Sequence, residues 1–94
     1  MNLSKEEQAQ ATEFQTSINK AKKELRDAKK AMKAMMDIQE AAGRTGAHAA
    51  AYRVFVATDT ALNATHRAHS AATDAMAETY GDDGGIVVFG GGGR

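Results

Sequence analysis

The sequence predicts an all-α fold, a long antiparallel hairpin of two helices packed as an alanine-rich coiled coil. Two long stretches have neither proline nor glycine, and each carries apolar residues at the 3.5-residue spacing of a coiled coil. A short segment with two glycines separates them. We expect helices over about residues 5–42 and 47–80, a turn at 43–46, and a glycine-rich tail at 81–94 with a short β-like segment at 86–89.

The start of the first helix carries a capping signal. Ser4 and Glu7 have the spacing of a capping box, in which the serine hydroxyl accepts from the amide of residue 7 and the glutamate accepts from the amide of Ser4. Glu6 and Glu7 also suit the positive end of the helix dipole. The pattern therefore predicts a helix that begins directly after Ser4.

The apolar stripes of the two helices fit together if the chain folds back on itself. Setting residue i of the first stripe against residue 90 − i of the second places large side chains against small ones in the middle of the hairpin. Ala28 then faces Leu62, Ala21 faces His69, and Phe14 faces Met76. The predicted helix–helix seam consists of Phe14, Ile18, Ala21, Leu25, Ala28, Met32 and Met35 with Phe55, Leu62, His69 and Met76.

The turn between the helices has its own capping signals. Gly43 suits the left-handed position after a helix end, and Thr45 or Gly46 can cap the helix that follows.

The second helix has a further smooth row beside its seam. Alanine in the smooth row would let another helix approach closely, so we expect a second packing face there, either a self-interface with another copy or a contact with another protein. The alternative is a solvated face of good helix formers. The row is Val54, Ala61, Ala68 and Ala75.

The tail combines glycine runs with one apolar segment. Seven of the nine glycines lie in residues 81–94, on both sides of Ile86, Val87, Val88 and Phe89. Four apolar residues between flexible leads favour a docking peptide that adds to the sheet edge of a partner or fills an apolar groove. The alternative is a disordered tail.

Basic residues crowd one part of the first helix. They are predicted to lie off the seam on the outer face, where they either contact a polyanion such as nucleic acid or an acidic protein, or form a solvated face. No aromatic residue is interleaved with them, which gives no support for stacking on single strands. The candidate polyanion contacts are Lys22, Lys23, Arg26, Lys29, Lys30 and Lys33, with Lys20 beside them.

Catalytic and metal-binding patterns are weak. His66 and His69 have a spacing that can hold a metal, but the predicted seam brings no carboxylate to the level of His69. Nothing arranges a nucleophile, a base and an orienting group, and the tail glycines lack the lysine and hydroxyl residue of a phosphate loop. We therefore expect no enzyme, no metal, no cofactor and no small-molecule substrate.

Amino-acid composition limits the remaining classes of function and location. Twenty of the 40 hydrophobic residues are alanine and there is no cysteine, so one seam supplies little core and self-association or a protein partner is expected. The formal net charge of zero argues against bulk attraction to nucleic acid or membrane. The polar N-terminus has no signal-peptide pattern, and no stretch reaches the ~20 apolar residues of a membrane span. We expect a protein of the cytoplasm or one incorporated into a virion or another assembly.

These observations favour a non-enzymatic structural or assembly protein. In this interpretation a helical rod oligomerises or docks on a larger complex through its tail, in the style of a small bacteriophage virion or assembly component. The alternative is a regulatory dimer, a four-helix bundle that binds nucleic acid or an acidic protein through the Lys20–Lys33 face. A hairpin inhibitor or secretion substrate that blocks one target is a third hypothesis.

Overall fold

The computed structural model describes residues 3–80, and within them the chain forms two long helices. Helix α1 is Lys5–Ala41 and helix α2 is Thr45–Tyr80. The helices pack against each other, which confirms the predicted helical hairpin within residues 3–80. The molecule is a rod with principal extents of 60 × 21 × 17 Å. The glycine-rich tail and its segment at 86–89 lie outside the described residues.

The N-terminus of α1 has the predicted cap. The Glu7 amide donates to Ser4 Oγ at 3.1 Å, and the Ser4 amide donates to Glu7 Oε1 at 2.9 Å. Both bonds of the capping box are therefore present, and two amides that α1 leaves without a carbonyl partner are satisfied.

The turn between the helices is shorter than the sequence suggested. Gly43 takes a left-handed backbone with φ of 71°, and the amides of Gly43 and Arg44 donate to the carbonyls of Glu40 and Gln39. The Arg44 carbonyl accepts the first bond of α2, from His48 at 2.9 Å. Arg44 thus takes the capping position that we had predicted for Thr45 or Gly46, and α2 begins at Thr45 instead of near residue 47.

Contacts across the seam lie close to the predicted alignment of the two helices. Met76 packs against Ala11, three residues before its predicted partner at position 14. Lys22 contacts His69, one residue after the predicted partner at position 21. The contacts deviate from the predicted pairing in both directions, so the exact pairing of residue i with 90 − i stays a prediction.

The seam follows the coiled-coil spacing on both helices. Its members are the buried and half-buried residues Ala11, Gln15, Ile18, Lys22, Leu25, Lys29, Met32, Met36 and Gln39 of α1 with His48, Ala51, Phe55, Thr58, Leu62, Thr65, His69, Ala72 and Met76 of α2. On α2 every predicted seam residue falls within this set. On α1 the predicted residues Ile18, Leu25 and Met32 do so as well.

The other predicted row of α1 lies beside the seam. Phe14 is 37% exposed and Met35 is 48% exposed, Ala28 is exposed, and Ala21 is half-buried. The seam row is displaced by one residue, to Gln15, Lys22, Lys29 and Met36. Lysine can occupy such positions because its methylene stem covers apolar surface while its amino group reaches the edge. The idea that every basic residue of α1 lies off the seam is therefore wrong for Lys22 and Lys29.

The core of this hairpin is thin. Among the described residues only Ala11, Met36, Ala51 and Leu62 are buried. Two of these four are alanine, which removes little apolar area from water. Large hydrophobic side chains remain exposed at Phe14, Met35, Ile38, Tyr52, Val54 and Val56.

Leu62 should dominate the stability of the hairpin. Because Leu62 is only 6% exposed, Leu62→Ala should lower the free energy of unfolding by about 2–4 kcal/mol through lost burial and an unfilled space. Urea unfolding followed by circular dichroism measures this. The control Val56→Ala, at a position 42% exposed, should change the free energy by less than about 0.5 kcal/mol. Equal effects of the two substitutions would contradict the placement of Leu62 in the seam.

Candidate interaction surfaces

The hairpin has one uncharged side. Because α1 and α2 are right-handed and run in opposite directions, the residues directly before the seam rows 15/22/29/36 and 55/62/69/76 lie on the same side of the pair. All of them are exposed except half-buried Ala21. We call this surface the apolar face; it consists of Phe14, Ala21, Ala28, Met35, Ala42, Ala47, Val54, Ala61, Ala68 and Ala75.

The apolar face combines the predicted smooth row of α2 with the row of α1 that the sequence analysis assigned to the seam. Val54 is 48% exposed, and the three alanines of its row are exposed. They lie beside the row of Phe14, Ala28 and Met35. The sequence indicated each row separately. It did not show that both belong to one surface, because the α1 row had been assigned to the seam.

Two threonines next to the apolar face keep their hydroxyls satisfied within α2. Thr58 Oγ1 donates to the Val54 carbonyl at 2.9 Å, and Thr65 Oγ1 donates to the Ala61 carbonyl at 2.8 Å. A hydroxyl turned back on its own helix does not require water or another polar partner. The methyl groups of both residues are therefore available for apolar packing.

The opposite side of the hairpin carries the charge. Lys29 Nζ lies 2.6 Å from Asp59 Oδ1 and 5.4 Å from the centre of the Phe55 ring. The Lys29 side chain is 27% exposed and that of Asp59 is 42% exposed. The ion pair therefore lies at the edge of the seam and is partly accessible to water. The ammonium group over the ring adds a cation–π contact.

His69 lies at the seam with a cation beside it. Lys22 Nζ is 2.7 Å from His69 Nδ1, and the Phe14 ring meets the imidazole edge to face at a centroid distance of 6.5 Å. Burial lowers the pKa of His69 below 6.5, and the charges of Lys22 and His66 lower it further. The lowered pKa favours the neutral imidazole, whose Nδ1 can accept a hydrogen bond from the lysine.

The predicted polyanion contacts are divided between two environments. Lys22 and Lys29 are half-buried at the seam. Lys23 and Lys33 are exposed and pair with the aspartates one turn along α1, at 2.9 and 2.7 Å. The Lys23 contact lowers the pKa of Asp27, and the Asp37 contact raises the pKa of Lys33. Of the six candidates, Lys22, Arg26 and Lys30 make no ion pair within residues 3–80, and Lys22 instead contacts the His69 ring.

The described part of the chain has neither a metal-ligand cluster nor a membrane-spanning helix. Between residues 3 and 80, no three or more histidine, aspartate or glutamate side chains lie close enough to share a metal ion. Neither helix of this segment contains a window apolar enough to cross a membrane. The predicted docking residues Ile86, Val87, Val88 and Phe89 lie outside the described residues.

Comparison with known proteins gives no relative. No protein-family model, curated protein or solved structure matches the chain. Function is therefore inferred from the surfaces of the hairpin alone.

The His69 environment predicts stability that falls in mild acid. The folded pKa is below the unfolded value of 6.5, so the unfolded chain binds the proton more tightly and stability is lost as the pH falls below 6.5. Thermal unfolding at pH 7.5 and pH 5.5 should show a lower midpoint at the acid pH. His69→Asn should reduce this difference, whereas the exposed His66→Asn should preserve most of it. An unchanged difference in His69→Asn would contradict the assignment.

The half-buried ion pair of Lys29 should contribute more to the free energy of unfolding than an exposed ion pair does. Lys29→Ala removes the Asp59 pair, the cation–π contact and a stem that covers the seam, and should cost roughly 1 kcal/mol of unfolding free energy. Lys23→Ala removes an exposed pair and should have little measurable effect. Chemical denaturation of both variants tests this prediction. An effect of Lys23→Ala as large as that of Lys29→Ala would contradict it.

Proposed function

We propose that the chain is a non-enzymatic structural or assembly protein. It acts as a helical rod that associates with itself or docks on a larger complex, with the segment at 86–89 as the predicted contact to a protein partner. The bacteriophage context stays a prediction of the sequence.

The observation that carries this proposal is the mismatch between the buried and the exposed apolar residues of the hairpin. Among the described residues four are buried, two of them alanine, while six large hydrophobic residues are exposed. A small scaffold without a disulfide usually needs oligomerisation or a partner to be stable. Exposed apolar surface of this kind is typical of protein–protein contact.

Polyanion binding through the basic residues of α1 receives less support. Lys22 and Lys29 contact His69 and Asp59, and Lys23 and Lys33 pair with Asp27 and Asp37. To contact phosphate, each lysine would have to break or weaken its contact with this histidine or aspartate. The rod interpretation uses the apolar face and leaves these contacts intact.

The proposal predicts that the chain belongs to a large particle in its own cell. With a tag before residue 1 and expression at the natural level, gel filtration of a native lysate should place it at a mass far above two copies of 9.9 kDa. Deleting residues 85–94 should return it to low-mass fractions with its helicity unchanged.

A substitution pair within the tail provides the matched control. Val87→Ser with Phe89→Ser should release the chain from the particle, because it removes two apolar docking residues. Gly91→Ser with Gly93→Ser changes the same short region and should leave the particle intact. Docking on a larger complex would be rejected if the unmodified chain eluted at low mass.

A further inference from the structure

We propose that a second copy of this chain covers the apolar face, with the two hairpins lying face to face and their turns at opposite ends. This inference rests on the proposed assembly function and specifies one partner and one geometry. The product is a four-helix bundle in which each helix is antiparallel to its neighbours.

The distribution of side-chain sizes along α1 favours this geometry. A twofold axis through Ala28 sets residue i of one α1 against residue 56 − i of the other. Phe14 then faces Ala42, and Met35 faces Ala21. Each large side chain meets an alanine, as a close-packed interface between helices requires.

The α2 row obeys the same twofold relation. With Ala61 on the axis, residue j of one copy faces residue 122 − j of the other. Val54 therefore meets Ala68, and Ala47 meets Ala75. Alanine meets alanine at the centre of both rows, which lets the helices approach to the lower end of the usual 8–10 Å range.

The arrangement with both turns at the same end packs less well. It places α1 of one copy on α2 of the other, so that Met35 lies on Val54 while Ala28 lies on Ala61. Two large side chains near the turn would then hold the helices apart and leave the alanines in the middle without contact. Opposite ends avoid this conflict.

The hairpin offers a footprint as large as a stable dimer needs. Residues 14–42 of one helix extend over about 42 Å, and two helices side by side are about 20 Å wide. Their product is roughly 800 Å² per copy, the area that each partner contributes to a standard interface.

The chemistry of the apolar face also fits a copy of itself. None of its residues is charged, and the hydroxyls of Thr58 and Thr65 beside it are already bonded to α2. Glu7 follows the row of Phe14 toward the start of α1, so the uncharged row of α1 ends where the proposed overlap ends. A twofold contact needs a surface complementary to itself, and this one has that property.

Sedimentation equilibrium of the purified full chain tests the dimer. The expected mass is twice 9.9 kDa. Ala28→Arg places two guanidinium groups against each other on the axis and should raise the dimer dissociation constant at least ~10-fold, since like charges would be buried together. The control Ala34→Arg changes an exposed alanine on the other side of α1 and should leave the constant unchanged. A monomer at every concentration of the unmodified chain would overturn the proposal.

Single cysteines test the geometry without relying on a disruptive variant. The chain has no cysteine of its own, so Ala28→Cys adds one thiol, and mild oxidation should join two copies because the paired positions lie within disulfide reach. Ala34→Cys should not cross-link. If Ala28→Cys links only to Ala61→Cys in a mixture, the turns lie at the same end and the proposed arrangement is wrong.

The two sets of experiments fail in different ways. A purified monomer that still enters a large particle in the native lysate overturns the face-to-face dimer and leaves the proposed function standing. A purified dimer that stays at low mass in the lysate supports the face-to-face dimer and overturns docking on a larger complex.

Discussion

The structure depends on a single seam between α1 and α2. A pair of helices has only one such contact, and here it combines apolar side chains on both helices with lysine stems on α1. The lysines contribute methylene groups to the seam and direct their amino groups to one edge, where Asp59 and His69 receive them. This one-sided use of lysine separates a charged side of the rod from the apolar face.

The turn and the rotation of α1 fix different parts of the hairpin. Gly43 reverses the chain in three residues, and Arg44 supplies the first carbonyl of α2. A turn of this length leaves α2 little freedom to slide along α1. The rotation of α1 about its own axis places Phe14 and Met35 beside the seam, although their hydrophobicity alone would place them in it.

Much of the fold could be read from the sequence, and the part that could not has a physical reason. Proline-free and glycine-free stretches, the Ser4 capping box and Gly43 gave the two helices and their order. The seam of α1 was ambiguous because two adjacent rows have the same spacing. One holds Ala21 and Ala28, the other Lys22 and Lys29, and a hydrophobicity scale prefers the alanines. The lysine side chains have longer apolar stems than alanine and can cover more of the facing helix. This advantage of the lysine row becomes visible only when the positions of both helices are known.

The candidate surface shows the same division. The α2 row of Val54 and Ala61 was evident as a smooth stripe, whereas its continuation on α1 required the true seam to be known. Interactions between elements, such as the Lys22–His69 contact, depend on register and rotation. No spacing rule within one helix contains that information.

The hairpin returns the backbone to the end at which it started. Residue 80 therefore lies near Ser4, while Gly43 lies about 55 Å away at the far tip. Gly46 and Gly43 both have open space where a side chain would begin, so the tip tolerates added bulk sterically, and left-handed φ restricts only Gly43. The two ends of the rod therefore differ. The first residues of α1 and the last residues of α2 lie at one end, and the other end is a short turn that can carry an inserted peptide or a label without disturbing the seam.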